Sequence, residues 1–486
     1  MPLVSREKIF VIAILVFAAC FSFRGLTTFP AFWFDEAINI QQTRSLSEQG
    51  YINLQTAPGV PYEKPFHLTT GYPVITPLSV VFTIFGFDFR FARLYMTGWI
   101  LLFLLSAYLL ARELFGKRVA FFSLLFLATF APIYGNGETV IAEVPALVPL
   151  FFGAFLLSRF KEHRAIPFLA GLFLGLAAAV KPIYFLVAPA LALSALCSRK
   201  EFSWKRELWL WCGCGLPVLL YIWTLLPAGN MFDVGPILSF YQNKTAGGGG
   251  VESKLLSNVL RLFTESSLLY TLLIGALLTV VAPWKKLWEG RGNRVILFLC
   301  AYGALTFLFF IQSIGWNRYL LPSQAVFLLC LPVAVFIFRD RVTKRFPSVR
   351  GFRYANLLLS GLVCMQLIHL FFFATIFEST AADEFNQFIT KEAPAGNIYV
   401  VNSAPVAALV PTARLYQYFD FFEKVPPMPN LLTRLAQETD LTHLFVRVND
   451  AKNVVPYLSD IETYYTRAGT VRDITHFVRK ASSMGR

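Results

Sequence analysis

The stretch REKIFVIAILVFAACFSFRGLTTFPAFWFDEA, residues 6–37, decides how the rest of the chain is read. Ile9 to Phe23 form an unbroken apolar run behind a basic leader with Arg6 and Lys8, the pattern of a helix that enters a bilayer with its N-terminus inside. Shortly beyond it stands the acidic pair Asp35-Glu36. Two carboxylates at the mouth of a membrane helix are costly to desolvate, so packing alone rarely accounts for them. A signal peptide starts in a similar way, and Phe17-Ala18-Ala19-Cys20 is a near miss for a lipoprotein cleavage box, with Phe where a branched aliphatic is usual. The hydrophobic spans that follow need a topological start, which favours an uncleaved start-transfer helix.

Composition agrees. Of 486 residues 56% are hydrophobic and only 15% charged, 50 are Phe, and the mean hydropathy is +0.57. This describes a polytopic α-helical membrane protein. The net charge of +14 could suggest nucleic acid, but the cations gather in short turns between apolar runs. The seven cysteines, Cys20, Cys197, Cys212, Cys214, Cys300, Cys330 and Cys364, lie in or beside apolar segments, which argues against a disulfide framework.

Apolar runs able to cross a bilayer occur near 8–26, 93–112, 118–135, 141–158, 165–180, 183–197, 207–226, 264–283, 294–312, 319–338 and 354–376, eleven in all. The two that meet at Lys181-Pro182 are short. The turns on either side are both basic (Arg159, Lys161 and Arg164; Arg199, Lys200, Lys205 and Arg206), so two crossings must separate them. Lys117-Arg118, the loop from Lys285 to Arg294 and the loop from Arg339 to Arg353 alternate onto the same side. The apolar segment 74–87 would invert every later loop if it crossed, so it reads as a re-entrant or interfacial helix broken by Pro73 and Pro77.

With the N-terminus cytoplasmic, the first loop (27–92), the loop 227–263 and everything after about residue 377 lie outside. This predicts a transmembrane catalytic domain over 1–377 and a small exported α/β domain over 378–486, with strands at Ile398–Val401, Leu444–Val448 and Ile474–Val478 and a helix at Leu431–Glu438. The run Gly247-Gly248-Gly249-Gly250 in the second outer loop is either a floppy connector or a mobile lid.

Polar residues collect at the outer ends of the spans. They are Asp35-Glu36; Glu63-Lys64-Pro65-Phe66-His67 with Thr70-Gly71-Tyr72-Pro73; Glu138 and Glu143; and the cations Arg90, Arg93, Lys181 and Arg318, the last beside Tyr319. Each has a structural excuse, since lysines snorkel and a glutamate caps a helix start. Convergence of carboxylates and cations from separate spans on one face favours a joint role. The sequence shows no P-loop, dinucleotide fingerprint, HExxH motif or Ser-His-Asp order, and the histidines at 67, 163, 369, 443 and 476 are scattered. An outer-face enzyme lacks a cytoplasmic nucleotide supply, so its activated donor arrives most simply on a lipid phosphate. Transfer from such a donor needs cations for the leaving phosphate and a carboxylate to take the acceptor proton.

At these residues the chain resembles the GT-C superfamily of polyprenyl-phosphate-dependent glycosyltransferases, in particular the family-39 type of protein O-mannosyltransferases and aminoarabinose transferases. Asp35-Glu36 with Ala37, Ile40, Arg44 and Gly50 is similar to that family's first outer loop. Ala142-Glu143-Val144-Pro145 is similar to its second acidic motif, and Thr70-Gly71-Tyr72-Pro73, Arg93-Leu94, Lys181 and Arg318-Tyr319-Leu320-Leu321-Pro322 to further recurring elements. The resemblance implies Asp35 as catalytic base and Glu143, where the family usually has Asp, as the second acidic residue. It implies Lys64, Lys181, Arg318 and Arg93 as grips for the donor phosphate, with Glu36, His67, Glu138 and Tyr319 in support. A divalent cation on Asp35 and Glu143 is left open, since only some members use one. The expected reaction moves a sugar from a polyprenyl-phosphate donor to a hydroxyl of a lipid, glycan or protein, with inversion, at the outer face of a bacterial cytoplasmic membrane. A transporter or flippase of lipid-linked sugars is the rival reading; against it stand the lack of an internal repeat and charges placed at helix ends rather than mid-span.

Overall fold

A computed structural model of the chain describes residues 6–62, 69–160, 163, 165–198, 203–226, 255–260, 293–313, 317–345, 354–418, 440–447 and 458–480. Lys64, His67, the glycine run, the span at 264–283 and the helix at Leu431–Glu438 lie outside the described residues. The chain divides into two compact units: Met1–Arg24, His67–Val74 and Leu94–Ile376 form one, and Gly25–Phe66, Ile75–Arg93 and Phe377–Arg486 the other.

Among its described residues the first unit contains helices and turns and no strand. Across the described residues five helical stretches are long and apolar enough to cross a membrane: Phe89–Phe115, Trp204–Leu225, Arg294–Gln312, Leu321–Arg345 and Ala355–Glu392. The run expected as one span at 118–135 is two helices, Lys117–Ala128 and Ala131–Gly137, bent by 59° and bringing the number to six if counted together. Glu143–Arg159, Ile166–Val180 and Val187–Cys197 are shorter apolar helices of 17, 15 and 11 residues. The architecture is therefore a polytopic, mostly helical membrane-type fold.

The break expected at Lys181-Pro182 is present. Lys181 is extended (φ −154°, ψ 135°), as a residue before proline prefers, and a 3₁₀ turn over Pro182–Leu186 separates the flanking helices. The break expected within 74–87 is not. A single helix runs over Tyr72–Phe85 with Pro77 inside it. Pro77 lies so close to the helix start that it forfeits a single bond, to the Pro73 carbonyl.

Helices Ile166–Val180 and Trp204–Leu225 meet backbone to backbone. A methyl on Gly171 would strike the Leu210 carbonyl, one on Gly175 the Cys214 carbonyl, and one on Gly213 the Phe168 carbonyl. Lipid supplies no hydrophobic force between helices, so close van der Waals contact through small residues takes its place. A side chain that collides with backbone cannot be relieved by a rotamer change. Gly175→Val is therefore expected to cost about 2 kcal/mol or more; Gly215→Ala, with nothing within 4 Å of the new methyl, should be silent. Thermal melts of the detergent-solubilised variants check both.

In the second unit helix Phe34–Gln49 buries ten consecutive residues, Glu36 through Ser45, and ends on Gly50 at φ 82°, a left-handed cap that suits glycine. A hairpin follows, β1 (Gln55–Ala57) and β2 (Val60–Pro61). The C-terminal sheet has the order β4-β3-β5-β7-β6, with β3 Asn397–Val401, β4 Leu415–Tyr418, β5 Leu441–Arg447, β6 Tyr465–Val471 and β7 Ile474–Arg479. β3 runs parallel to β4 and β5, while β7 is antiparallel to β5 and β6. Helix Ala404–Leu409 lies in the crossover from β3 to β4, as parallel strands require a connection over one face. Tyr399, Val401, Leu444, Val446, Tyr465 and Phe477 form the core of one face.

On β5 and β7 two of the scattered histidines come together. His443 Nδ1 and His476 Nε2 lie 3.0 Å apart, and the His476 ring stacks on Phe445 at 4.6 Å. Burial, helped by His443, pushes the His476 imidazole down to about 4, and burial lowers His443 as well. An unfolded histidine titrates near about 6.5, so below that pH the unfolded chain binds more protons and stability falls. The sheet should be fully stable above about 6.5 and lose stability as pH drops toward about 4. His476→Phe should flatten this dependence in thermal melts taken across the same window.

Candidate active site

In the first unit the second acidic motif supplies the centre. Glu143 opens helix Glu143–Arg159, where a carboxylate is favoured by the helix dipole, and its side chain is 1% exposed. Lys181 hydrogen-bonds Glu143 Oε1, and Arg318 Nε stands 3.5 Å from the same oxygen. The two cations are 9% and 10% exposed. Their charges bracket the Tyr319 ring, with Lys181 Nζ 5.5 Å and Arg318 Cζ 5.6 Å from its centroid. One carboxylate oxygen thus gathers two cations from separate segments.

Local structure explains the placement. Lys181 occupies the extended break before Pro182, and Arg318 the 3₁₀ turn Asn317–Tyr319. Gly71 N–H donates to the Val180 carbonyl at 2.8 Å, and a methyl on Gly71 would collide with the Ala179 carbonyl. The Thr70-Gly71-Tyr72 element thus packs against the helix end that presents Lys181. Tyr184, which sequence reasoning passed over, donates its hydroxyl to the Glu143 carbonyl at 2.7 Å, tying the Lys181 turn to the Glu143 helix. Its only advance signal was its place three residues after Lys181. Glu138 is buried in the same unit at the end of helix Ala131–Gly137.

In the second unit the acidic pair divides. Glu36 is fully buried and takes a two-pronged bond from Arg93, Nε to Oε1 at 2.6 Å and Nη2 to Oε2 at 2.7 Å. Arg93 also donates to the Phe29 and Pro30 carbonyls, both at 3.0 Å. Its guanidinium is thereby committed to anchoring the loop that leads into helix Phe34–Gln49. Asp35, in the first turn of that helix, is partly exposed. Arg44, two turns on, donates to the Ala408 and Val410 carbonyls at 2.8 Å each, satisfying the end of helix Ala404–Leu409.

Across the described residues no three His, Cys, Asp or Glu side chains gather as a metal-holding group. Lys181 and Arg318 crowd Glu143 Oε1 with positive charge, which disfavours a divalent cation at that oxygen.

The family model for dolichyl-phosphate-mannose-protein mannosyltransferase matches residues 76–227. No curated protein matches the sequence. Among solved structures, ArnT from Cupriavidus metallidurans bound to undecaprenyl phosphate is similar over 99% of each chain, at 15% identity and a TM-score of 0.68. The oligosaccharyltransferase AglB from Archaeoglobus fulgidus, in complex with an inhibitory peptide and a dolichol-phosphate, aligns with 98% of this chain and 75% of its own at 13% identity, with a TM-score of 0.55. The chain shares its overall fold with these two proteins.

Losing one partner of a buried ion pair leaves an uncompensated charge and costs about 3–5 kcal/mol. Glu36→Ala and Arg93→Ala should each lower the melting temperature sharply. Asp88→Ala, which removes both the pair with the exposed Arg90 and the cap bond from the Arg90 backbone N–H, should cost less, about 1–2 kcal/mol.

Proposed function

We propose that this protein is an integral-membrane glycosyltransferase of the family-39 type, which moves a sugar from a polyprenyl-phosphate donor to an acceptor hydroxyl at the outer face of a bacterial cytoplasmic membrane. The observation that carries this reading is the pair of nearly buried cations, Lys181 and Arg318, gathered on buried Glu143, on a GT-C fold. A lipid-linked sugar phosphate is a monoanion, and its leaving group gains a second charge as the glycosidic C–O bond breaks. Cations already held in a dry site stabilise that added charge without reorganising at the moment of reaction. Glu143 keeps the two cations together and limits their mutual repulsion. Lys64 is a further candidate for the phosphate.

Asp35 is assigned as the base, being the partly exposed member of its pair. The acceptor hydroxyl gives its proton to Asp35 as its oxygen attacks the anomeric carbon, and the electron pair of the broken bond leaves on the phosphate. One base with no covalent intermediate implies inversion. Topology follows the basic turns, with eleven spans, a cytoplasmic N-terminus and the C-terminal sheet on the outer side.

The test uses vesicles loaded with a polyprenyl-phosphate sugar. Asp35→Asn is expected to reduce transfer by about 10³-fold or more while donor binding persists. Lys181→Ala and Arg318→Ala should each weaken donor binding by about tenfold. Full transfer by Asp35→Asn, or movement of labelled lipid-sugar across vesicles with no acceptor present, would overturn the assignment in favour of transport.

A further inference from the structure

The second unit carries an open cleft of about 520 Å³ lined by Thr27, Asp88, Phe89, Arg90, Asp383 and Asn386 among others. Its volume falls in the range of small-molecule sites. Four segments build it: the turn after the first helix, the start of helix Phe89–Phe115 with the residues just before it, the first turns of helix Ala381–Glu392, and the end of helix Ala404–Leu409. Its polar groups are held in place. Arg90 grips Asp88 through Nε at 3.1 Å and Nη2 at 2.6 Å, and Asp383 Oδ2 accepts the Thr27 hydroxyl at 2.9 Å. Asn386 is exposed, with both an amide donor and a carbonyl acceptor to offer.

The chemistry of the lining narrows the occupant. Two carboxylates against one guanidinium give a net negative cleft, which repels phosphate. An alkyl chain would desolvate those charges without replacing their hydrogen bonds. A divalent cation would find one of the two carboxylates already neutralised by Arg90. A saccharide fits: each hydroxyl both donates and accepts, matching acceptor-only carboxylates, a donor-only guanidinium and an amide that does both. Phe87, Phe89 and Leu409 add apolar surface to the lining, the usual complement to a few placed polar groups.

The cleft also shares its framework with the acidic pair. Phe89 packs edge-on against Phe32 at 4.8 Å, three residues before Asp35, and Arg93, one turn along the same helix, holds Glu36. We infer that this cleft binds a saccharide and seats the sugar portion of the acceptor beside the turn that carries Asp35. The acceptor role rests on the glycosyl-transfer reading; saccharide binding does not.

Full-length protein in nanodiscs free of sugar detergents would be probed by saturation-transfer NMR with glucose, galactose, mannose, glucosamine, maltose and lactose. At least one probe should receive saturation from the wild type. Its affinity should weaken about fivefold or more in Asp383→Asn and Asn386→Ala, variants whose unchanged melting temperatures show intact folding, and should be retained in Asp35→Asn. Absence of transfer to every probe, equal binding by the cleft variants, or selective capture of trilysine by the same residues would overturn the inference. Loss of sugar transfer in Asp35→Asn, measured on the same preparations, reports separately on the catalytic reading.

Discussion

Burying a carboxylate costs several kcal/mol unless a cation and further hydrogen bonds are buried with it, and both candidate sites are built around that constraint. Glu36 is fully buried, and Arg93 answers it with two parallel bonds and gives two further donors to loop carbonyls. Glu143 is answered differently. It takes Lys181 and Arg318 on one oxygen, and both cations keep about a tenth of their surface exposed. The first arrangement fixes a backbone. The second gathers two cations on one carboxylate oxygen at a helix start.

The resemblance separates Asp35, as base, from Glu36, in support, but the physical cause of the split is not local. Adjacent residues on a helix point about 100° apart, so one faces inward and its neighbour does not, but which is which depends on Arg93, 57 residues away. The cations were legible as a set because each stands where a span ends. Lys181 was the clearest, since Pro182 forces an extended break. Their shared partner was not, because Glu143, Lys181 and Arg318 come from three distant segments. Arg93 reads from sequence as a phosphate grip, whereas the structure gives its donors to Glu36 and the loop.

The fold shows the same division between local and long-range information. Strands at Ile398–Val401, Leu444–Val448 and Ile474–Val478 were visible as β-branched and aromatic runs, and the sheet contains all three with shifted ends. β6 was not seen, because Tyr465–Val471 carries Arg467 and Gly469 and lies at the sheet edge, where composition need not be apolar. Gly171 and Gly175 stand four apart in plain sight in the sequence. That Gly213 answers them from the next helix emerges only when the backbones meet.

The spacing Asp35, Ala37, Ile40, Arg44, Gly50 is mostly a framework. Ala37 and Ile40 are fully buried, Arg44 ties the helix to the carbonyls after Ala407, and Gly50 supplies the left-handed end. The Gln55 amide extends the same attachment, donating to the Thr412 and Leu415 carbonyls at the start of β4. The helix that carries Asp35 is therefore fastened along its length to the C-terminal sheet's own connections, within one compact unit. In the proposed reading Asp35 is a base, and a base works only while its carboxylate is held within about half an ångström of its target. That requirement gives the C-terminal region a physical reason to accompany the first loop: it is the surface against which the Asp35 helix is braced.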